Sequence, residues 1–293
     1  MPPRFENAAT FRQSLEQRLR TEADRRGTAV NALRLKLLIE RLLGRLFAEE
    51  TPPWLVKGGY AMELRLRPRA RTTKDLDLAC SIPHAPDTDG ALPELREKLQ
   101  DAASRDLGDH LVYRIGSPTT QIEAAPEGGT RFPVVVLLAG REYGRFHVDV
   151  GLGPAPDVPP ECIVGEDLLR FADLPPAQIL LVSREVQYAE KLHAYTRPWG
   201  DRENTRTKDL VDLLLLIDAG LGDPLALDRA LGEAFADRPG GRPPSALPPP
   251  PESWRASFAS MAEEVELATT ELNAAFDRLK QFHREHGGRP GTA

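Results

Sequence analysis

Asp75 and Asp77, in the run DLDLA, are the residues whose types and spacing most directly suggest chemistry. Side chains of a strand alternate between its faces. The two carboxylates then share one face, while Leu76 and Leu78 point into a core. Adjacent carboxylates repel unless a cation lies between them. A divalent ion of the magnesium type, which takes oxygen ligands and substrate phosphates, suits that pattern. Upstream, Gly58-Gly59 follow the apolar run Trp54-Leu55-Val56 and open an expected helix from Tyr60 to Arg67. Glycine lets a backbone approach a ligand closely, and a helix N-terminus offers free N–H groups to phosphate. The stretch VKGGYAMELRLRPRARTTKDLDLAC, residues 56–80, therefore reads as a triphosphate cradle (Lys57, Gly58, Gly59, Thr73) followed by a metal-binding carboxylate pair. Taken singly, such an Asp pair is commonly a solvated strand edge and Gly-Gly a turn. The conjunction within one short segment is what carries the signal.

The elements that must position these residues follow from periodicity. Helices are expected over 9–26 and 28–50, capped by Asn7 or Thr10 and by Thr28. The metal-pair strand runs from Asp75 to Ile82, and a helix follows at Pro93–Leu107. Strands fit Leu111–Ile115 and Thr120–Ala124, and a hairpin joins Phe132–Ala139 to Arg145–Leu152. In its second strand, RFHVDVGLG, Phe146, Val148 and Val150 share one face, and His147 and Asp149 the other. A carboxylate in so apolar a strand needs a partner, and a neighbouring arginine is one candidate.

Residues 153–176 are Pro-rich and mark the expected boundary between lobes. A helix is expected over Ala177–Arg197, with Val182, Val186, Ala189 and Leu192 as its apolar stripe and Arg184, Gln187 and Lys191 opposite. The next, Thr205–Ala219, carries Arg206, Asp209 and Asp212 on one polar stripe, with Lys208 placed to pair with Asp212. A short helix over 223–233 precedes the stretch 239–251, whose seven prolines suggest a polyproline-like linker. One long amphipathic helix, Trp254–His286, and a disordered tail, 287–293, close the chain.

Composition narrows the classes. Hydrophobic residues make up 41% and charged residues 28% of the 293, ordinary values for a globular protein. The net charge of −6 excludes a globally basic nucleic-acid binder, though not a local basic patch. Two cysteines without a CxxC pair suggest neither a disulfide framework nor a zinc site. No apolar run reaches the ~18 residues of a membrane span, and a cytoplasmic protein is the expectation.

With these residues in view, the KGG…RxRxTxDLDL run and the later EKLHAYTRP…RTKDLVDL pairing resemble the AbiEii/AbiGii nucleotidyltransferase toxins of type IV toxin–antitoxin (abortive infection) systems, within the DNA polymerase beta-like superfamily. The resemblance covers most of residues 50–218. It implies an α+β, bilobed fold: a nucleotidyltransferase lobe over 1–155, with a mixed sheet flanked by helices, and a mainly helical lobe over 156–286. It implies transfer of nucleotides from a nucleoside triphosphate to RNA, with the tRNA 3′ end as acceptor, blocking translation and growth. Mg2+ or Mn2+ would be the cofactor and a cognate antitoxin the partner. Asp75 and Asp77 would hold metal, joined by Asp149 if it is the third carboxylate rather than an arginine's partner. Lys191 would neutralise triphosphate charge, with Asp209 or Asp212 completing the catalytic set. Arg67, Arg69 and Arg71, with Arg65 before them, would contact RNA phosphates, or else form a solvated helix face. Gly-Gly stands where many relatives have Gly-Ser, which leaves phosphate binding to the backbone. Thr73, on the face of Asp75, is a candidate phosphorylation site: phosphate there would add about −1.5 to −2 charge beside the metal carboxylates. Two other classes remain open: a nucleotidyltransferase acting on a protein or small molecule, and a non-enzymatic regulatory binding protein.

Overall fold

The structure is a computed structural model that describes residues 5–67, 73, 75–81, 88–121, 128–200, 203–238 and 240–286. Two compact units divide it, and neither is continuous in sequence. The first takes Met1–Tyr60, Thr73–Ala155 and Cys162–Leu181; the second takes Ala61–Thr72, Pro156–Glu161 and Val182–Ala293.

The first unit opens with α1 (Ala8–Arg26) and α2 (Val30–Leu46). Asn7 caps α1, its Oδ1 accepting from the Ala9 amide at 2.7 Å, and Gly27 ends it at φ +63°. The cap expected at Thr28 is absent: Ala29 stands at the start of α2 and makes no side-chain cap bond. Next come β1 (Trp54–Lys57), α3 (Gly58–Leu66, which passes to the second unit after Tyr60), β2 (Asp75–Cys80), α4 (Thr88–Ala103), β3 (Leu111–Ile115), β4 (Thr120–Gln121), β5 (Gly129–Leu138), β6 (Arg141–Leu152), β7 (Glu161–Val164) and β8 (Gln178–Leu181). The strands form one mixed sheet in the order β3-β5-β6-β2-β1-β8-β7, with β4 paired to β5. The β2–β6 pair is parallel and the β1–β2 and β5–β6 pairs antiparallel.

On one sheet face Leu76, Leu78, Phe132, Val134, Val148 and Val150 are fully buried. Helix α1 packs on β5, α2 on β6 and α4 on β3. Inside this layer Arg41 and Arg45 of α2 grip Asp109, at 2.6 Å and 2.5 Å. Burial alone would raise the Asp109 carboxyl, but the two guanidiniums hold it below its ordinary value. A buried acid at this depth is tolerable only with such pairing.

The expected helix over Ala177–Arg197 is wrong in its first turn. Residues 178–181 are the strand β8, paired in parallel with β1 at Val56↔Leu181. Ser183 then caps the helix, accepting from the Val186 amide at 3.2 Å. The apolar spacing of Ile179, Leu181 and Val182 is compatible with either state; the open edge of β1 and the serine cap decide it.

The second unit holds α5 (Arg184–Tyr195), α6 (Thr207–Ala219), α7 (Pro224–Ala234), α8 (Arg255–Glu264) and α9 (Leu272–His286). Nine of the 13 residues of α6 are buried, and α5, α8 and α9 pack around it. Two expectations fail here. The final helix is two, because Glu266 takes φ +53° and the Leu267 amide bonds back to Ala262 O at 2.9 Å, closing the turn. Nor is the Pro-rich stretch a free linker. Leu247 is buried, the Tyr195 hydroxyl donates to Pro248 O at 2.8 Å, and His283 bonds Pro244 O at 2.9 Å. Prolines have fixed φ and free carbonyls, so they lie along a surface as an ordered strap once donors meet them. The units do not divide at a single cut between 155 and 156, since 162–181 return to the first. The tail 287–293 lies outside the described residues.

Candidate active site

The expected acidic face forms in the first unit. The β2–β6 register sets Asp77 beside Asp149 and Asp75 beside His147. The row extends in both directions: Lys57 of β1 stands opposite Asp77, and Arg131 of β5 opposite Asp149. Four neighbouring strands thus present Lys57, Asp77, Asp149 and Arg131 across one level of the sheet. Alternation explains why they share a face, because their flanking residues Val56, Leu76, Leu78, Phe132, Val148 and Val150 are core. Asp75 is exposed, and Asp77, Asp149 and Arg131 are half-buried.

Asp149 has the arginine partner that was one of its two sequence readings. Arg131 Nε and Nη2 donate to its two carboxylate oxygens, each at 2.7 Å. These bonds, then the charges of Asp149, Asp75 and Asp77, raise the Arg131 pKa above its ordinary value. Sequence reasoning missed Arg131. The signal was available: in GTRFPVVV it alternates with the core residue Phe132, so it shares the outward face.

The two glycines have a steric reason. Gly58 takes φ +64°, and a Cβ there would overlap the Asp77 carboxylate. A Cβ on Gly59 would meet the Thr73 hydroxyl at 3.3 Å. Asp77 and Thr73 therefore lie against the start of α3. Thr73 Oγ1 also lies 3.4 Å from the Asp75 amide.

A hard divalent cation fits this donor set in kind: three carboxylates on adjacent strands, two of them neighbours in register. Both oxygens of the third are engaged by Arg131. Among the described residues no group of three or more His, Cys, Asp or Glu is placed to hold a metal ion. Asp75 and Asp77 are the other carboxylates of this face, and an ion drawing on Asp149 would compete with Arg131 for its oxygens.

In the second unit Lys191 of α5 reaches Asp212 at 2.6 Å and Asp209 at 3.3 Å, both on α6. The sequence placed all three on polar stripes. Instead the Lys191 side chain is 11% exposed and that of Asp212 only 2%. Lys208, expected to pair with Asp212, is exposed. Burial would lower the Lys191 pKa, but the Asp212 and Asp209 charges outweigh it and the net shift is upward. Gln187, placed with Lys191 on the polar face, is also buried and accepts from Arg65. Arg65 further binds Glu161 at 2.9 Å and Val182 O at 2.7 Å, so it anchors the second unit and is spent for RNA contact. Arg67 sits in the turn after α3; Arg69 and Arg71 lie outside the described residues.

A family model, Nucleotidyl transferase AbiEii toxin, Type IV TA system, matches residues 41–285. The chain belongs to this family of nucleotidyltransferase toxins. Among solved structures it is similar to MenT4, a nucleotidyltransferase toxin from Mycobacterium tuberculosis H37Rv. The TM-score is 0.52 at 16% identity, over 92% of this chain and 87% of that one, a likeness of fold. No curated protein matches. The α+β expectation holds, with a mixed sheet in the first unit and helices in the second. No described helix is long and apolar enough to cross a membrane.

Proposed function

We propose that this AbiEii-family toxin transfers a nucleotide from a nucleoside triphosphate to RNA, with the tRNA 3′ end as acceptor, in a reaction dependent on Mg2+ or Mn2+. The observation that carries the reading is the parallel β2–β6 register, which sets Asp77 beside Asp149 with Asp75 one step along the same face. The acceptor hydroxyl oxygen attacks the α-phosphorus. A new P–O bond forms as the bond to pyrophosphate breaks, and the hydroxyl proton leaves to a carboxylate oxygen of the cluster. Asp75 and Asp77 would hold the cation, which neutralises charge developing on phosphate oxygens when bound. Lys57 and the first amides of α3, after Gly58-Gly59, would take the terminal phosphates. Lys191 would serve as a compact cation for the triphosphate, positioned by Asp212 and Asp209. Arg67, with Arg69 and Arg71, would meet RNA phosphates. A cognate antitoxin is the partner this family implies.

Incubation of the protein with each labelled nucleoside triphosphate, total RNA and Mg2+ tests the reading. Label on tRNA that disappears with chelator supports it. Label that moves only to protein or a small molecule supports the alternative acceptor, and no pyrophosphate release from any triphosphate defeats both.

Thr73 is the proposed off-switch of the same site. Its hydroxyl lies against Gly59, so a phosphate would crowd the start of α3 and add negative charge near Asp75. Protein carrying phosphothreonine at 73 should lose transfer. Full activity in that form would exclude the switch.

A further inference from the structure

Arg131 has no place in the reading drawn from sequence. Its side chain is 37% exposed, yet two of its nitrogens are fixed on Asp149 in fork geometry. Its remaining nitrogen, Nη1, makes no hydrogen bond among the described residues. Asp75 and Asp77 also act on it electrostatically, so it serves the acidic cluster as a whole. A divalent cation and a guanidinium answer the same need of that cluster, which is positive charge between carboxylates. They would also use the same Asp149 oxygens, and two cations crowded onto one carboxylate repel, so each weakens the other's hold. The planar fork that matches a carboxylate matches a phosphate equally well.

We propose that Arg131 is an internal counter-cation that competes with the divalent ion for Asp149 and, once displaced, binds a phosphate of the nucleotide. This makes it a substrate-binding residue and couples cation entry to nucleotide capture. The phosphate half rests on the nucleotidyltransferase reading above, whereas the competition for Asp149 does not.

The test is Mn2+ titration of the full chain by calorimetry without nucleotide, followed by steady-state transfer. In Arg131→Gln, Mn2+ should bind on the order of 10-fold more tightly, since a bidentate charge-assisted pair no longer opposes it. In Asp149→Asn the same Arg131→Gln change should have little effect on Mn2+. A gain of equal size in both backgrounds would mean a general charge effect and would overturn the competition, as would no gain at all. For transfer, Arg131→Gln should raise the KM for the triphosphate on the order of 10-fold or more, with partial rescue by Arg131→Lys. An unchanged KM would overturn the phosphate contact. If Arg131→Gln does not fold, Arg131→Lys decides both halves: it keeps the charge but loses the fork, so Mn2+ should still tighten and KM still rise. Wild-type protein that transfers no nucleotide would refute the proposed function, and the Mn2+ comparison would still decide the competition.

Discussion

The acidic face of the first unit and the lysine–aspartate cluster of the second are built from the same materials and differ in burial. On the sheet face, Asp75 is exposed and Arg131 is 37% exposed above Asp149. Water reaches Asp75 and the Arg131 end of the pair, so that pairing is cheaper to break and more open to exchange. Between α5 and α6, Lys191 and Asp212 are 11% and 2% exposed, and a lost partner leaves a charge that water cannot reach. Ion pairs of one chemistry are thus readily exchanged in one place and costly to break in the other, and solvent access sets which. On this comparison, substitutions on the sheet should spare folding, and those at the buried cluster should not.

The largest effect is expected at the buried cluster. Lys191→Ala or Asp212→Ala should destabilise by about 3–5 kcal/mol, the usual cost of orphaning one member of a buried pair. Thermal denaturation reads this directly. The sequence placed Lys191 on a polar helix face, where the change would cost little; its burial reverses that expectation. Joint replacement, Lys191→Met with Asp212→Leu, should recover most of the loss. A single variant melting with wild type would mean that the cluster is solvated after all.

Next comes the sheet face. Asp77→Asn should reduce transfer on the order of 100-fold or more. Folding should change by less than ~0.5 kcal/mol, since the substitution keeps the side chain's shape at a half-buried site. Equal losses of activity and stability would erase the contrast between the regions.

Gly58→Ala probes the seam between backbone and acid. The left-handed φ alone costs about 1–2 kcal/mol with a Cβ, and the overlap with Asp77 adds to it. The melting temperature should fall and Mn2+ binding weaken together. Loss of stability with unaltered Mn2+ affinity would show that Asp77 can move away without consequence.

The smallest effect concerns His193 in the second unit. Burial, then the charge of Arg238, lowers its pKa below the ordinary value. A depressed histidine contributes stability above its unfolded pKa of about 6.5, and this is lost as pH falls through the folded value. The melting temperature should therefore drop more steeply as pH falls below about 6.5 in wild type than in His193→Gln. Parallel curves for the two proteins would dismiss the role.

The sequence by itself determined the local elements and the local chemistry. Alternation put Asp75 and Asp77 on one face, and the hairpin strand put Asp149 outward, because period-2 geometry needs no knowledge of partners. Most helices were legible for the same reason: their apolar stripes repeat at helical spacing. Tertiary structure decided which non-consecutive strands are neighbours, and with that the placing of Asp77 beside Asp149. Strand order is a long-range property, and nothing within β2 says that it will run beside β6. It also decided burial. Lys191, Asp209 and Asp212 look solvated on helices taken singly, and only the packing of α5 against α6 shows them to be core charges. The strand 178–181 was hidden likewise, since its hydrogen-bond partner β1 lies more than a hundred residues upstream. The strap of prolines is ordered by donors that come from distant helices. Side-chain direction is a property of the chain, whereas partnership and solvent access belong to the fold.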